Sequence, residues 1–142
     1  PLGALQTLSS LLQDVGAEIA ILDPDRHDLF LGFTSHLSHI IGFAFMNSGL
    51  RLSSWLGEDV SGYAGGSYKD LTRIAASNPA MWRDIFLANK EHLGTLCDLM
   101  VEEIRKVKSM IATNNSSALE AYIARAAEAK LTQKHKGTGH EK

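Results

Sequence analysis

The chain has 142 residues, with 14 basic and 16 acidic side chains and a formal net charge of −2. Hydrophobic residues make up 44% and charged residues 21%, the balance of a globular domain long enough to bury a core. A near-neutral chain lacks the clustered basic face that phosphate backbones require, so nucleic acid is not an expected partner.

No uninterrupted apolar run reaches the roughly 18 residues of a membrane span, so no membrane partner is expected. No signal-peptide pattern opens the chain either. Cys97 is the one cysteine, which excludes an internal disulfide framework and a cysteine-rich zinc site. Pro1 rather than methionine stands first, and a fragment or a processed product is expected.

Leu2, Leu5, Leu8, Leu12 and Val15 recur at helical spacing, and Gly16 stands where a helix stops. The run 17–22 (Ala-Glu-Ile-Ala-Ile-Leu) reads as a short strand, and Asp23-Pro24 as an N-cap with a first-turn proline. One strand cannot satisfy its own backbone, so residues 1–23 read as the end of an α/β domain whose other strands lie upstream. A helix is expected from Pro24 into the late forties, apolar on most sides between Ile40 and Met46, with a second short one over 50–56. Gly57, Gly62, Gly65 and Gly66 break the pattern, and 68–77 reads as another short helix. Asn78-Pro79 caps the next.

From Trp82 through Ile85, Phe86, Leu93, Leu96, Cys97, Met100, Ile104 and Val107 to Ile111, apolar residues keep a three-and-four spacing. A helix of about 33 residues is about 50 Å long. A compact domain of this size spans about 26 to 30 Å. So long a stripe needs a partner along its length, and a second subunit is the favoured one. Ser117 with Glu120 has the capping-box pattern for a last helix. Residues 24–131 then form one helical domain, and 132–142 a polar tail or linker.

Two constellations could carry chemistry. His36 and His39 lie three apart on one helix face inside an apolar stretch, where a polar cavity would repay their burial. His27, nine residues earlier, points away on a regular helix, so no metal site is expected. In the second constellation Asp70, Arg73 and Ser77 share a helix face within about 60°. Arg73 has the guanidinium fork for a carboxylate or phosphate, steadied by Asp70, and Gly65-Gly66 leave amides free near the helix's positive end. A surface salt bridge beside a flexible loop explains the same residues. The glycines match neither a phosphate-loop nor a dinucleotide fingerprint.

These residues carry a resemblance. His27-Asp28, the block 34–39 (Thr-Ser-His-Leu-Ser-His), the block 65–75 (Gly-Gly-Ser-Tyr-Lys-Asp-Leu-Thr-Arg-Ile-Ala), and 77–85 (Ser-Asn-Pro-Ala-Met-Trp-Arg-Asp-Ile) with Asn89 resemble the prephenate/arogenate dehydrogenase family in order and spacing. The likeness covers about Leu2 to Ala129. It implies a mainly α fold: an all-helical dimerisation domain, like the C-terminal domain of 6-phosphogluconate dehydrogenase, preceded by one helix and one strand of a Rossmann-type domain.

The resemblance further implies an oxidoreductase that oxidatively decarboxylates prephenate (or arogenate) in tyrosine biosynthesis, with NAD or NADP bound mainly by the upstream domain. It implies a cytoplasmic homodimer. This segment alone would be inactive, with no catalytic residue of its own. Carried over by motif, Arg73 grips the substrate's ring carboxylate and His39 faces its side chain. Ser77 and Trp82 line the pocket, Gly66 and Asp70 lie close by, and His36 supports the wall. Asp28 and Lys69 join Arg73 in an ionic network. Two departures are Ser38, where the family usually has proline, and Ser67, where a third glycine is common. The competing class is a non-catalytic helical dimerisation or ligand-sensing module of the same fold.

Overall fold

The computed structural model describes residues 2–137, with side chains from residue 3 to residue 133. Helix α1 (Leu2–Asp14) ends at Gly16, which takes φ +81° while its N–H donates to the Gln13 carbonyl at 2.9 Å. Only glycine adopts that left-handed turn without cost. The apolar stripe of α1 is exposed at Leu5, Leu8 and Leu11.

The strand expected over 17–22 does not form, and no strand occurs among the described residues. A strand is held by ladder bonds to its neighbours, and the described residues supply none. The segment is instead an almost wholly exposed connector.

Helix α2 (Pro24–Leu31) starts as expected, with an Asp23 carboxylate oxygen accepting from the Arg26 N–H at 3.0 Å and Pro24 in the first turn. It does not end in the forties. A π turn, Gly32–His36, joins it to α3 (Leu37–Leu56), giving one continuous helix of 33 residues. The separate helix expected over 50–56 is simply its last turns. Asn47 and Ser48 fall inside the continuous helix. Asn47 donates to the Phe43 carbonyl at 2.9 Å and Ser48 to the Ala44 carbonyl at 2.8 Å, side-chain bonds to the preceding turn that leave the helix intact. Gly57, at φ +72°, ends it.

Continuity makes this helix longer than any uninterrupted apolar run in the sequence. The helix Pro24–Leu56 is long and apolar enough to cross a bilayer by length and composition. Thr34, Ser35, His36, Ser38 and His39 interrupt the run in sequence, but the helix carries the apolar residues on both sides of them.

A 3₁₀ turn (Val60–Tyr63), α4 (Gly66–Thr72) and a second 3₁₀ turn (Arg73–Ala76) all pack against α3. The approach is closest at Gly42, where an added Cβ would stand 2.9 Å from Ile74 Cγ1 and 3.4 Å from the Leu71 carbonyl oxygen. Asn78 caps α5 (Pro79–Ala88) by accepting from the Ala80 and Met81 amides at 2.9 and 3.2 Å.

The unbroken helix expected from Pro79 to Asn114 is two helices. Asn89 leaves helical geometry (φ −110°, ψ 29°), and α6 (Lys90–Ala112) begins after it. Asn89 is buried, and its side chain is committed to neighbours in α2 and the π turn. The chain divides into two compact units, one ending at Leu93 and the other starting at Gly94. In the first, Leu37, Trp82 and Leu93 are buried.

The second unit holds the rest of α6 and α7 (Ser116–Gly137), joined through Asn114 at φ +50°. The N-cap of α7 is Asn115, whose side-chain oxygen accepts from the Ala118 amide at 3.1 Å. Ser117, the expected cap, donates to that same oxygen. Glu103 ties the pair, accepting from Lys106 Nζ at 2.6 Å and Tyr122 Oη at 2.9 Å. Beside it Ile104, Val107, Ile111 and Tyr122 line an open apolar groove of about 490 Å³. Helix α7 continues six residues past Leu131, where a tail was expected, and residues 138–142 lie outside the described ones.

Candidate functional site

The π turn widens the helix just before His39. Its defining bond runs from the Leu37 amide to the Gly32 carbonyl. Single π turns are uncommon and collect at functional sites because they re-aim the side chains that follow. His39 Nδ1 donates to the Ser35 carbonyl at 3.0 Å. With that anchor the ring stacks on Trp82, centroids 3.6 Å apart and planes at 22°.

His36 meets the same indole edge-on at 6.2 Å, and Phe86 packs on it at 5.5 Å. Trp82 is 7% exposed, and its buried Nε1–H has no acceptor among the described residues. An unpaired buried donor is costly and calls for a partner.

Behind His36 lies a polar knot. Asn89 Nδ2 donates to the Asp28 carbonyl at 2.8 Å and sits 3.2 Å from His36 Nδ1. Asn89 Oδ1 lies 3.1 Å from His92 Nδ1, and His92 Nε2 lies 3.2 Å from the Asp25 carboxylate. Burial holds His36 below the ordinary histidine range. The Asp28 carboxylate opposes that shift, and His39 and His27 reinforce it. His36 is therefore neutral near pH 7.

The 3₁₀ turn that carries Arg73 packs on α3, the helix that carries His39. Gly42 stands one turn beyond His39, and Ile74, which packs on it, is the residue after Arg73. The missing Cβ lets the 3₁₀ turn that begins at Arg73 settle on α3. Ser77 is half-buried and donates to the Ile74 carbonyl at 2.6 Å, closing that turn.

Arg73 itself is exposed. Among the described residues it forms no ion pair with Asp70, so the expected steadying contact is not made within one chain. Lys69, Asp70 and Gly66 are exposed as well. The ionic network of Asp28, Lys69 and Arg73 does not close within one chain either: Asp28 pairs with His27 at 3.0 Å. Among the described residues no three His, Cys, Asp or Glu side chains gather as a metal site.

Asn89, His92 and Asp25 were not singled out as site residues from sequence. The available signal was Asn89 itself, a poor helix former interrupting an otherwise apolar stripe.

Comparison with known proteins fits this geometry. Residues 23–125 match the family model described as "Prephenate dehydrogenase, dimerization domain". The cyclohexadienyl dehydrogenase of Zymomonas mobilis is 30% identical over 94% of this chain and 46% of its own length. The prephenate dehydrogenase of Bacillus subtilis is 32% identical over 84% of this chain and 32% of its own. The crystal structure of prephenate dehydrogenase from Aquifex aeolicus, in complex with hydroxyphenyl propionate and NAD+, superposes with a TM-score of 0.87 at 31% identity. It covers 93% of this chain and 46% of that one. The chain thus spans 32% to 46% of the length of these relatives.

Proposed function

Since the chain belongs to the prephenate dehydrogenase dimerization-domain family, we propose that it supplies the dimer interface and one wall of the substrate site in an enzyme that oxidatively decarboxylates prephenate or arogenate with NAD or NADP. The observation that carries this reading is the His39–Trp82 stack together with Arg73, which pairs with no carboxylate among the described residues and stands on a turn packed against the His39 helix.

Each residue's part follows from its chemistry. The buried indole of Trp82, packed by Phe86, holds the stacked His39 ring flat, and that imidazole rather than the indole faces the substrate. His39, held through Nδ1, keeps Nε2 free to face a polar substituent. Arg73, with no ion-pair partner among the described residues, keeps its planar fork for a substrate carboxylate. Ser77, Gly66 and Asp70 border the approach to Arg73, and His36 backs the wall.

The nicotinamide dinucleotide belongs to another domain. Its phosphates need a strand, a glycine turn and a full helix N-terminus. Gly65-Gly66 here follow a 3₁₀ turn and open a helix of seven residues. This chain's residues do not fit the cofactor, and no step is assigned to them through it.

The dimer is supported by apolar surface left uncovered. In the second unit Ile104 and Ile111 of the α6–α7 groove are exposed, and in the first Phe30, Phe33 and Trp55 on the long helix are exposed as well; large apolar side chains left open in this way suit a partner. The exposed leucines of α1 likewise suit packing against a dinucleotide-binding domain.

The test joins this chain to a dinucleotide-binding domain of the family and follows reduction of NAD+ or NADP+ with prephenate and with arogenate. Turnover by the joined protein, with none by the chain alone, is expected. A folded, dimeric joined protein that binds the dinucleotide and turns over neither substrate refutes the enzyme reading in favour of a dimerisation or ligand-sensing module. Sedimentation of a well-folded monomer at micromolar concentration refutes the dimer.

A further inference from the structure

The orientation of the Asn89 amide is decided by the Asp28 carbonyl. A main-chain carbonyl only accepts, so the atom 2.8 Å from it is the Nδ2 amine. That same NH₂ group lies 3.2 Å from His36 Nδ1, and its second proton serves that contact. A ring nitrogen facing a donor must hold a lone pair, which puts the proton of neutral His36 on Nε2. Burial favours that neutral form.

His39 is the opposite case. Its Nδ1 stands 3.0 Å from the Ser35 carbonyl, so Nδ1 carries the proton and Nε2 is the bare nitrogen. Two imidazoles three residues apart, both resting on Trp82, therefore hold opposite tautomers.

The amide is itself held from behind. Its Oδ1 accepts from His92 Nδ1 at 3.1 Å, and His92 Nε2 reaches the Asp25 carboxylate at 3.2 Å. Every polar atom of the Asn89 side chain is thus spoken for, and the residue is 6% exposed. It cannot turn over to offer His36 its oxygen without leaving the Asp28 carbonyl facing another oxygen.

We propose that Asn89 is a positioning residue that locks His36 in the Nε2–H tautomer, so that the wall on Trp82 presents a neutral hydrogen-bond donor from His36 beside an acceptor from His39. The tautomer follows from this chain alone. Its use toward a substrate rests on the dehydrogenase reading above.

The experiment is NMR of the chain labelled with ¹⁵N-histidine, in which protonated and bare ring nitrogens give distinct shifts. His36 is expected to show a protonated Nε2 and a bare Nδ1, and His39 the reverse. In Asn89→Asp, nearly isosteric but with an acceptor where the amine stood, the His36 pattern should invert while that of His39 stays.

A wild-type His36 with a protonated Nδ1, or with averaged tautomers, overturns the proposal whether or not the variant folds. A folded variant with an unchanged His36 pattern overturns the role of Asn89, since a residue that merely ends α5 would leave the tautomer alone. In the protein joined to its dinucleotide-binding domain, Asn89→Asp should lower kcat/KM about two- to tenfold, the size of one neutral hydrogen bond. Wild-type kinetics in a variant whose tautomer has inverted overturn the use toward substrate. Absence of any wild-type turnover overturns the dehydrogenase reading and leaves the tautomer result standing.

Discussion

Arg73→Ala separates the two readings of the arginine most sharply. The guanidinium is exposed and, among the described residues, pairs with no carboxylate. Removing it therefore breaks no contact of the fold, and stability should change by less than about 0.5 kcal/mol, as for an ordinary surface substitution. If Arg73 grips a substrate carboxylate, the loss falls on recognition instead. A charge-assisted hydrogen bond contributes about 1.5–3 kcal/mol, and a bidentate grip makes two of them. One to two lost bonds amount to about 1.5–6 kcal/mol. At about 1.4 kcal/mol per decade this is a fall of roughly tenfold to ten-thousandfold in kcat/KM.

Because substrate and transition state both carry the carboxylate, the change should appear mainly in KM. Arg73→Lys should recover part of it, since a point charge does not reproduce the planar fork. The assay is steady-state dinucleotide reduction by the chain joined to its dinucleotide-binding domain, with urea unfolding alongside. Wild-type kcat and KM in Arg73→Ala would refute the carboxylate grip. Equal losses of stability and activity would show instead that the arginine holds the fold.

Gly42→Ala should be destabilising by up to about 2 kcal/mol in urea unfolding. The new Cβ stands 2.9 Å from Ile74 Cγ1, and overpacking of about 1–3 kcal/mol exceeds the roughly 1 kcal/mol that alanine gains over glycine in a helix. A net gain in stability would mean that the 3₁₀ turn does not rest on α3 there. Acid should also weaken the fold through His36. Its folded-state value lies below the ordinary 6.5, so above about pH 6.5 both states are neutral and the full stability is present. As pH falls from there toward the lower folded value, the unfolded chain takes up the proton first and stability is lost. The urea midpoint should therefore drop as the pH falls below about 7, and less steeply in His36→Gln; identical slopes would contradict the burial of this ring.

Much of the local structure was legible because it depends on neighbours in sequence. Asp23-Pro24 and Asn78-Pro79 start helices through their own side chains and fixed φ angles. Gly16 and Gly57 end helices because glycine takes the left-handed turn. The blocks around His36, Arg73 and Trp82 marked the family before any coordinates, since a site keeps its residue types at fixed spacing.

What spacing could not decide was anything set by partners distant in the chain. The run 17–22 has the composition of a strand, but a ladder needs neighbours that the described residues lack. Apolar periodicity runs straight through Asn89, and only its bonds to Asp28 and His36, 61 and 53 residues away, split the long helix in two. The π turn at Gly32–His36 leaves no mark in composition, yet it sets the aim of His39 onto Trp82. The seating of the Arg73 turn on α3 depends on one absent methyl group at Gly42. Propensity and capping act over three or four residues, so the sequence specifies them directly; tautomer, break and juxtaposition are settled only when remote segments pack and compete for the same hydrogen bonds.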